Sequence, residues 1–306
     1  MTTMISFEGG DRILDWIALT DALAAGHALP KASVEDVFLY RDDNTLLNRS
    51  AWIKGMGLAV KCATIFPANR AAGKPMIGGA INLFSDDDGA LEAILDFHLV
   101  TKWKTAGDSL LAARRLARPD SSSILIVGAG TVGRALYTAY RAVFPDAKFT
   151  VWNRSQAGAV AFQKDLPEVE IATDLETAVR GADIMTSATM STDPLIMGDW
   201  LQPGQHVDLI GAYRPDMREV DDAALLRSRV FVDNRHTTIG HIGELKIPIA
   251  RGVITADHVV ADYYDLGEFQ RRNDDEITLF KNGGGAHLDL MTSRYILNAW
   301  SQNANR

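Results

Sequence analysis

The segment Ile124-Leu-Ile-Val-Gly-Ala-Gly-Thr-Val-Gly-Arg-Ala-Leu-Tyr-Thr-Ala-Tyr-Arg-Ala-Val143 decides the fold of this chain. Its first four residues form the apolar, β-branched run that a buried parallel strand needs, and the residues from Arg134 onward are typical of a helix. Between them lies a GxGxxG motif, in which Gly128 permits a tight turn, Gly130 lets the backbone approach a pyrophosphate and Gly133 lets helix and strand pack closely. The positive end of the helix would hold the pyrophosphate. The segment predicts a dinucleotide site, with a glycine-rich turn of another α/β domain as the alternative.

The predicted residues on the phosphate side of this site are Gly128, Ala129, Gly130, Thr131, Val132 and Gly133. The next predicted strand, Lys148-Phe-Thr-Val-Trp152, is followed by Asn153, Arg154 and Ser155. A site that prefers NAD usually has an acid there for the ribose 2′-hydroxyl, whereas an arginine accommodates a 2′-phosphate. We therefore predict NADP(H) as the preferred cofactor, with NAD(H) still accepted if Arg154 only stacks on the adenine.

Strand-like and helix-like segments alternate through the rest of this region, which predicts a doubly wound parallel sheet. The predicted strands are 124–127, 148–152, 169–172, 183–189, 205–211 and 229–233, and the predicted helices between them include 156–166 and 174–180. Ser187, Ala188 and Thr189 end the fourth strand, where a nicotinamide would lie. Residues 277–285 are predicted as a glycine-rich loop before a final helix that returns to the first domain.

The N-terminal region has a different organisation. Residues 11–25 have the apolar spacing of an amphipathic helix, and residues 36–96 contain short strands with tight turns and no helices between them. This pattern predicts a mixed or antiparallel sheet in a separate α+β layer. The predicted domains are 1–118 with 285–306, and the Rossmann domain 119–284.

Bulk composition excludes several classes of protein. The net charge of −8 disfavours nucleic acid or an anionic membrane as a partner. A single cysteine, Cys62, excludes a disulfide framework, and the seven histidines are scattered, so no metal site is predicted. No segment has the character of a signal peptide or a membrane span, and we expect a cytoplasmic enzyme.

The chain resembles the ornithine cyclodeaminase/μ-crystallin family over nearly its whole length. The matching segments are Val60-Lys61, Phe66-Pro-Ala-Asn69, Gly73-Lys-Pro75, Leu83-Phe84, Gly89, Thr101-Lys-Trp-Lys-Thr-Ala-Gly-Asp-Ser109, the GxGxxG motif, Ser187-Ala-Thr189, Gly211-Ala-Tyr-Arg-Pro-Asp-Met-Arg-Glu219 and Ile277-Thr-Leu-Phe-Lys-Asn-Gly-Gly284. The resemblance implies a homodimer whose N-terminal domain supplies the dimer interface and the substrate site, with the reaction in the cleft facing the Rossmann domain.

Departures from the family pattern refine this expectation. Cyclodeaminases of the family have a catalytic aspartate where this chain has Tyr213, and a phenol with a pKa of about 10 cannot replace a carboxylate as a base at neutral pH. The segment around Tyr213 instead resembles the ketimine-reductase branch. The family's carboxylate-binding arginine is Lys104 here, and Arg49 is a candidate for a second anion-binding residue, although an ordinary surface residue or a dimer contact is the alternative for Arg49.

The resemblance implies an NAD(P)H-dependent reductase of small 2-imino acids, with Δ1-pyrroline-2-carboxylate reduced to L-proline as the best prediction. Lys61 would bind the substrate carboxylate or protonate the imine nitrogen, and a snorkelling edge lysine is the alternative for this residue. Lys104, Arg49 and Tyr213 complete the predicted substrate site, while Thr105, Asn282 and Gly283 are further predicted cofactor contacts. Alternative functions are ornithine cyclodeaminase, an imino-dicarboxylate reductase, alanine dehydrogenase, and a non-catalytic NADPH-dependent binding protein.

Overall fold

A computed structural model describes residues 2–304, with the backbone alone for residue 70. The chain divides into two compact units, Met1–Lys104 with Gly285–Arg306, and Thr105–Gly284. The strands are β1 (Thr3–Ile5), β2 (Ser33–Arg41), β3 (Asn44–Ile53), β4 (Gly57–Ile65), β5 (Ile77–Phe84), β6 (Leu91–Asp96), β7 (Ser123–Val127), β8 (Lys148–Trp152), β9 (Glu170–Ile171), β10 (Ile184–Ser187), β11 (His206–Leu209), β12 (Arg229–Val232), β13 (Val259–Ala261) and β14 (Thr278–Lys281).

The α-helices are α1 (Phe7–Asp11), α2 (Trp16–His27), α3 (Phe97–Leu116), α4 (Thr131–Val143), α5 (Gln156–Asp165), α6 (Leu175–Gly181), α7 (Asp222–Arg227), α8 (Arg235–Thr238), α9 (Gly243–Ala250) and α10 (Ala286–Ala304). Short 3₁₀ segments lie at Pro67–Ala72, Gly198–Trp200, Ala256–His258 and Tyr263–Glu268.

The first unit is built on a mixed sheet, as the tight turns between its strands predicted. The strand order is β1-β6-β5-β4-β3-β2, and only the β1–β6 pair is parallel. The last helix, α10, contacts β3, β4 and α2, so the predicted return of the C-terminal helix to this unit is confirmed. Alternating residues of β4 are buried toward α10, and Lys61 is one of them.

The predicted helix 11–25 is shorter at its start. Asp15 has an extended backbone, and its side chain accepts a hydrogen bond from the N–H of Ala18 at 2.8 Å, which caps α2 and fixes its first residue at Trp16. The helix then runs to His27, beyond the predicted end.

The second unit contains a parallel sheet with the order β13-β12-β14-β11-β10-β7-β8-β9, which confirms the predicted doubly wound architecture. The predicted loop at 277–285 was wrong in its first half, because Thr278–Lys281 is strand β14, fully buried between β11 and β12. Four residues that include a lysine show no strand periodicity, and their place in the sheet depends on pairing with distant strands.

The first unit boundary lies inside α3, between Lys104 and Thr105, whereas the sequence placed it after residue 118. The C-terminal half of α3 belongs to the second unit because its carbonyls accept hydrogen bonds there: Tyr263 Oη donates to Asp108 O at 2.5 Å and Arg271 Nη1 to Leu116 O at 2.8 Å. The helix ends at Leu116, three residues before Pro119.

Candidate active site

The GxGxxG loop has the geometry that a dinucleotide requires. Gly128 has φ +114°, a conformation that L residues with a side chain rarely adopt, and a Cβ there would lie 2.8 Å from Ala188 O. A Cβ at Gly133 would collide with Gly128 O, whereas a Cβ at Gly130 would meet open space. Gly130 precedes the first turn of α4 and supplies no capping side chain. The loop therefore leaves space and backbone donors where a pyrophosphate would bind.

Two side chains brace this loop from outside. Asn153 Oδ1 accepts from the Ala129 N–H at 3.1 Å, and Asn153 Nδ2 donates to Ser155 O at 2.9 Å. Arg134 Nη1 donates to Ala129 O at 2.6 Å, and its Nε and Nη2 donate to Asp165. Asn153 thus holds the glycine-rich loop against the end of β8. Arg134 also stabilises this loop, a role that was not predicted from the sequence.

A pocket opens at the carboxyl ends of β7, β8 and β10 in this unit. Its lining brings together most of the predicted cofactor residues, namely Gly128, Ala129, Gly130, Asn153, Arg154, Ser155, Ala188 and Thr189. Within residues 2–304, Arg154 makes no hydrogen bond or ion pair, so its guanidinium is available to a ligand. Thr131, Val132 and Gly133 form the first turn of α4. Ser187 is fully buried and its hydroxyl donates to Glu219 at 2.6 Å.

Asn282 and Gly283, which were predicted to contact the cofactor, form hydrogen bonds within the second unit. Asn282 Nδ2 donates to Thr105 O at 3.1 Å and to Ser109 Oγ at 3.0 Å, and the Gly283 N–H donates to Asp233 Oδ1 at 3.1 Å. The fold therefore brings Asn282 and Gly283 close to Thr105. The side-chain amide of Asn282 links α3 to the loop after β14.

A buried ion pair occupies the first unit. Lys61 Nζ donates to Asp289 Oδ1 and to Thr101 Oγ1, both at 3.1 Å, and lies 4.7 Å from the centroid of the Phe97 ring. Burial lowers the pKa of Lys61, Asp289 opposes this effect, and Lys104 and Arg49 add to it by repulsion. Burial by itself would raise the pKa of Asp289, but the neighbouring Lys61, Lys104 and Arg49 hold it below its usual value. The lowered pKa of Asp289 favours its carboxylate form, which can pair with the Lys61 ammonium group.

Two more predicted cations surround this pair. Arg49 lies directly opposite Lys61 in the β3–β4 register and binds Asp36 through both carboxylate oxygens, at 2.6 to 3.1 Å. Lys104 is buried, and it forms no ion pair or hydrogen bond with any residue that the structure describes. The three cations are Lys61, Lys104 and Arg49, and the two carboxylates are Asp289 and Asp36. This group therefore has one excess positive charge, which suits a substrate with one carboxylate. Tyr213 belongs to the second unit, where it is 57% exposed.

Two buried carboxylates had no predicted catalytic or binding role: Asp289 pairs with Lys61, and Glu219 accepts a hydrogen bond from Ser187. Glu219 lies in a segment that matches the family pattern, whereas Asp289 lies five residues after the last such segment, and the contacts of both depend on the fold. Between residues 2 and 304, no group of three or more His, Cys, Asp or Glu side chains is arranged to hold a metal ion, and no helix is long and apolar enough to cross a membrane.

Comparison with known proteins identifies the class. The sequence profile of the ornithine cyclodeaminase/μ-crystallin family matches residues 50–304. The chain belongs to this family, as its motifs predicted. A Delta(1)-pyrroline-2-carboxylate reductase of Paracoccus denitrificans is 52% identical over 291 residues, covering 92% of each chain. The resemblance to the reductase branch is therefore confirmed.

Solved structures share the fold. The Delta(1)-pyrroline-2-carboxylate reductase of Thermococcus litoralis, in complex with NADH and L-proline, superposes with a TM-score of 0.88 at 24% identity and covers 98% of each chain. An archaeal alanine dehydrogenase dimer with bound NAD gives a TM-score of 0.88 at 24% identity, covering 100% of this chain and 97% of the other. At these identities the likeness supports the fold alone.

Proposed function

We propose that this protein reduces Δ1-pyrroline-2-carboxylate to L-proline with NADPH. The observation that carries the proposal is the buried Lys61–Asp289 pair beside Lys104, a site for one carboxylate and one proton transfer in a chain with a dinucleotide pocket. The 52% identical relative has the name of this activity, which supports the predicted class, an oxidoreductase acting on C=N bonds.

The different charge environments of Lys61 and Lys104 give these two lysines different roles. Lys61 forms the direct ion pair with Asp289, whereas Lys104 forms no ion pair with any described side chain and interacts with Asp289 only through its charge. Lys104 therefore binds the substrate carboxylate by a charge-assisted contact. Lys61, with its lowered pKa, gives a proton from Nζ to the imine nitrogen and regains it from water. A nicotinamide held in the pocket would supply the hydride for the imine carbon, and with the proton from Lys61 this would convert C=N to CH–NH.

The same charges disfavour the alternatives. A dicarboxylate would need a second cation without a carboxylate partner, but Arg49 is bound to Asp36 through both oxygens. A cyclodeaminase would need a carboxylate base at the position of Tyr213.

Preference for NADPH over NADH is part of the proposal. Arg154 lines the pocket beside Ser155 at the end of β8, and the acid that would bind the ribose 2′-hydroxyl is missing from this position. A guanidinium with no partner among residues 2–304 suits a 2′-phosphate.

A homodimer is proposed from the uncovered face of the first sheet. Residues that alternate with those facing α10 leave apolar side chains in solvent, including Val37, Leu39 and Trp52, which are 47%, 58% and 53% exposed. Large apolar side chains exposed on one face of a sheet mark an interaction surface, and a second copy of the sheet would cover them. A cytoplasmic location remains a prediction from the sequence.

A panel of imines tests the function. Purified protein with NADPH is assayed by the loss of absorbance with Δ1-pyrroline-2-carboxylate, its six-membered homologue, iminosuccinate, and pyruvate with ammonia. We expect the cyclic monocarboxylates to be reduced with the highest kcat/KM. Faster reduction of iminosuccinate would overturn the argument from charge, and NADPH binding without turnover of any imine would favour the binding-protein alternative.

A further inference from the structure

One carboxylate joins the ends of two strands beside the dinucleotide pocket. Glu219 is fully buried, and its side chain accepts hydrogen bonds from five donors. Oε1 accepts from Ser187 Oγ at 2.6 Å, from Thr189 N at 2.8 Å and from Thr189 Oγ1 at 2.7 Å. Oε2 accepts from Gly211 N at 2.6 Å and from Ala212 N at 3.3 Å.

These donors belong to loops at the binding edge of the sheet. Ser187 ends β10, and Ala188 and Thr189 follow it as part of the pocket lining. Gly211 and Ala212 follow the neighbouring strand β11 and lead to Tyr213. Doubly wound sheets bind their ligands at the carboxyl ends of such strands, where backbone beyond the last ladder bond has lost its regular partners. Glu219 supplies those partners for both loops.

The packing between the loops shows that their spacing is tight. A Cβ at Gly211 would overlap Thr189 N and Thr189 O and lie 2.6 Å from Glu219 Oε1. The two loops therefore pack directly against each other beside the carboxylate, so that a displacement of one loop presses on the other.

A second buried carboxylate, Glu244, holds the backbone of Glu219 in place. The N–H groups of Glu219 and Val220 donate to the two oxygens of Glu244, at 2.8 and 3.1 Å. Burial raises the pKa of Glu219, and the ammonium group of Lys281, which donates to Leu209 O at 2.9 Å, partly offsets this rise. Every described hydrogen bond of the Glu219 carboxylate comes from a donor, so only the ionised form accepts all five.

We propose that Glu219 is a positioning residue for the cofactor: it holds the Ser187–Thr189 and Gly211–Ala212 loops in the shape that binds the dinucleotide. The inference rests on the proposed function only for the identity of the cofactor. Glu219 is fully buried and does not line the pocket, so it would act through the two loops.

The substitution Glu219→Gln tests this role, because it keeps the shape but turns one acceptor into a donor that faces other donors. We expect the NADPH dissociation constant, measured by fluorescence titration, to rise at least about tenfold, with a matching rise in KM for NADPH. Asp208→Asn is the matched control. Asp208 is equally buried, but it accepts from the hydroxyls of Tyr140 and Thr186 and not from the pocket loops, so this variant should lose stability and keep the wild-type affinity.

Ser187→Ala covers the case in which Glu219→Gln does not fold. It removes one donor to Glu219 from a fully buried hydroxyl that does not line the pocket, and the dissociation constant for NADPH should rise about threefold. Unchanged NADPH affinity in Ser187→Ala, or in a folded Glu219→Gln, would show that Glu219 only stabilises the unit. Wild-type protein that binds NADPH but reduces no imine would remove the proposed function and leave this test intact.

Discussion

Lys61 is buried, pairs with Asp289 and lies opposite Arg49 in the sheet, and each of these features affects its charge and its reactivity. Replacement by methionine keeps the length of the side chain and removes the charge, leaving Asp289 buried without its partner. We expect Lys61→Met to lower kcat/KM for the imine by at least about tenfold to a hundredfold, mainly through kcat, with NADPH affinity nearly unchanged.

Lys102→Met is the control for this variant. Lys102 lies on the same unit and pairs with Asp11 at a partly exposed site, so its loss should leave turnover intact. Near-normal turnover of Lys61→Met would show that Lys61 is a structural lysine, and the proton donor would have to be sought elsewhere.

Asp289 controls the protonation of Lys61. The carboxylate raises the pKa of Lys61, whereas burial, Lys104 and Arg49 lower it. Asp289→Asn removes the opposing contribution, so the pKa of Lys61 falls further. Because the proposed proton donor is the ammonium form, activity is lost as pH rises through that pKa. The alkaline limb of the kcat profile should therefore move to lower pH in Asp289→Asn, and a profile with an unmoved alkaline limb would separate Lys61 from the protonation step.

Arg154 provides a test of cofactor choice that is independent of the substrate. Arg154→Ala should raise KM for NADPH at least about tenfold and change KM for NADH much less, because only NADPH has the 2′-phosphate. Equal effects on both cofactors would assign Arg154 to the adenine ring.

At the scale of elements, two glycines at the junction of β7 and α4 have different roles: Gly133 is needed for packing and Gly130 for cofactor binding. A Cβ at Gly133 would collide with the carbonyl of Gly128, whereas a Cβ at Gly130 would project into open space. Gly133→Ala should lower the free energy of unfolding by about 1–3 kcal/mol, measured by urea denaturation. Gly130→Ala should keep the stability of the wild type but weaken NADPH binding, since the added methyl group lies where the pyrophosphate approaches. A Gly130→Ala variant with full affinity would place the pyrophosphate elsewhere.

At the scale of the whole molecule, the uncovered face of the first sheet predicts the oligomeric state. Light scattering should give the mass of two chains, and Leu39→Arg, which places a charge on this face, should give one chain at micromolar concentration. Leu226→Arg is the control, since Leu226 is similarly exposed on the second unit. A wild-type particle with the mass of one chain would contradict the dimer.

The sequence by itself determined the parts of this protein that depend on local pattern. The run 124–143, the glycine spacing and the β-α alternation predicted the doubly wound sheet, and the ordered motifs predicted the family and its reductase branch. They also selected Lys61, Lys104 and Arg154, because a cation within a motif has a recognisable chemical meaning.

Only the tertiary structure decided which residues act together. Strand β14 was not predicted, since four buried residues gain their place from pairing with β11 and β12. Asp289 meets Lys61 across 228 positions in the chain, and Glu219 meets the ends of two strands. A buried carboxylate is stable only where the fold supplies donors or a counter-charge, and those partners come from distant segments that no local pattern relates.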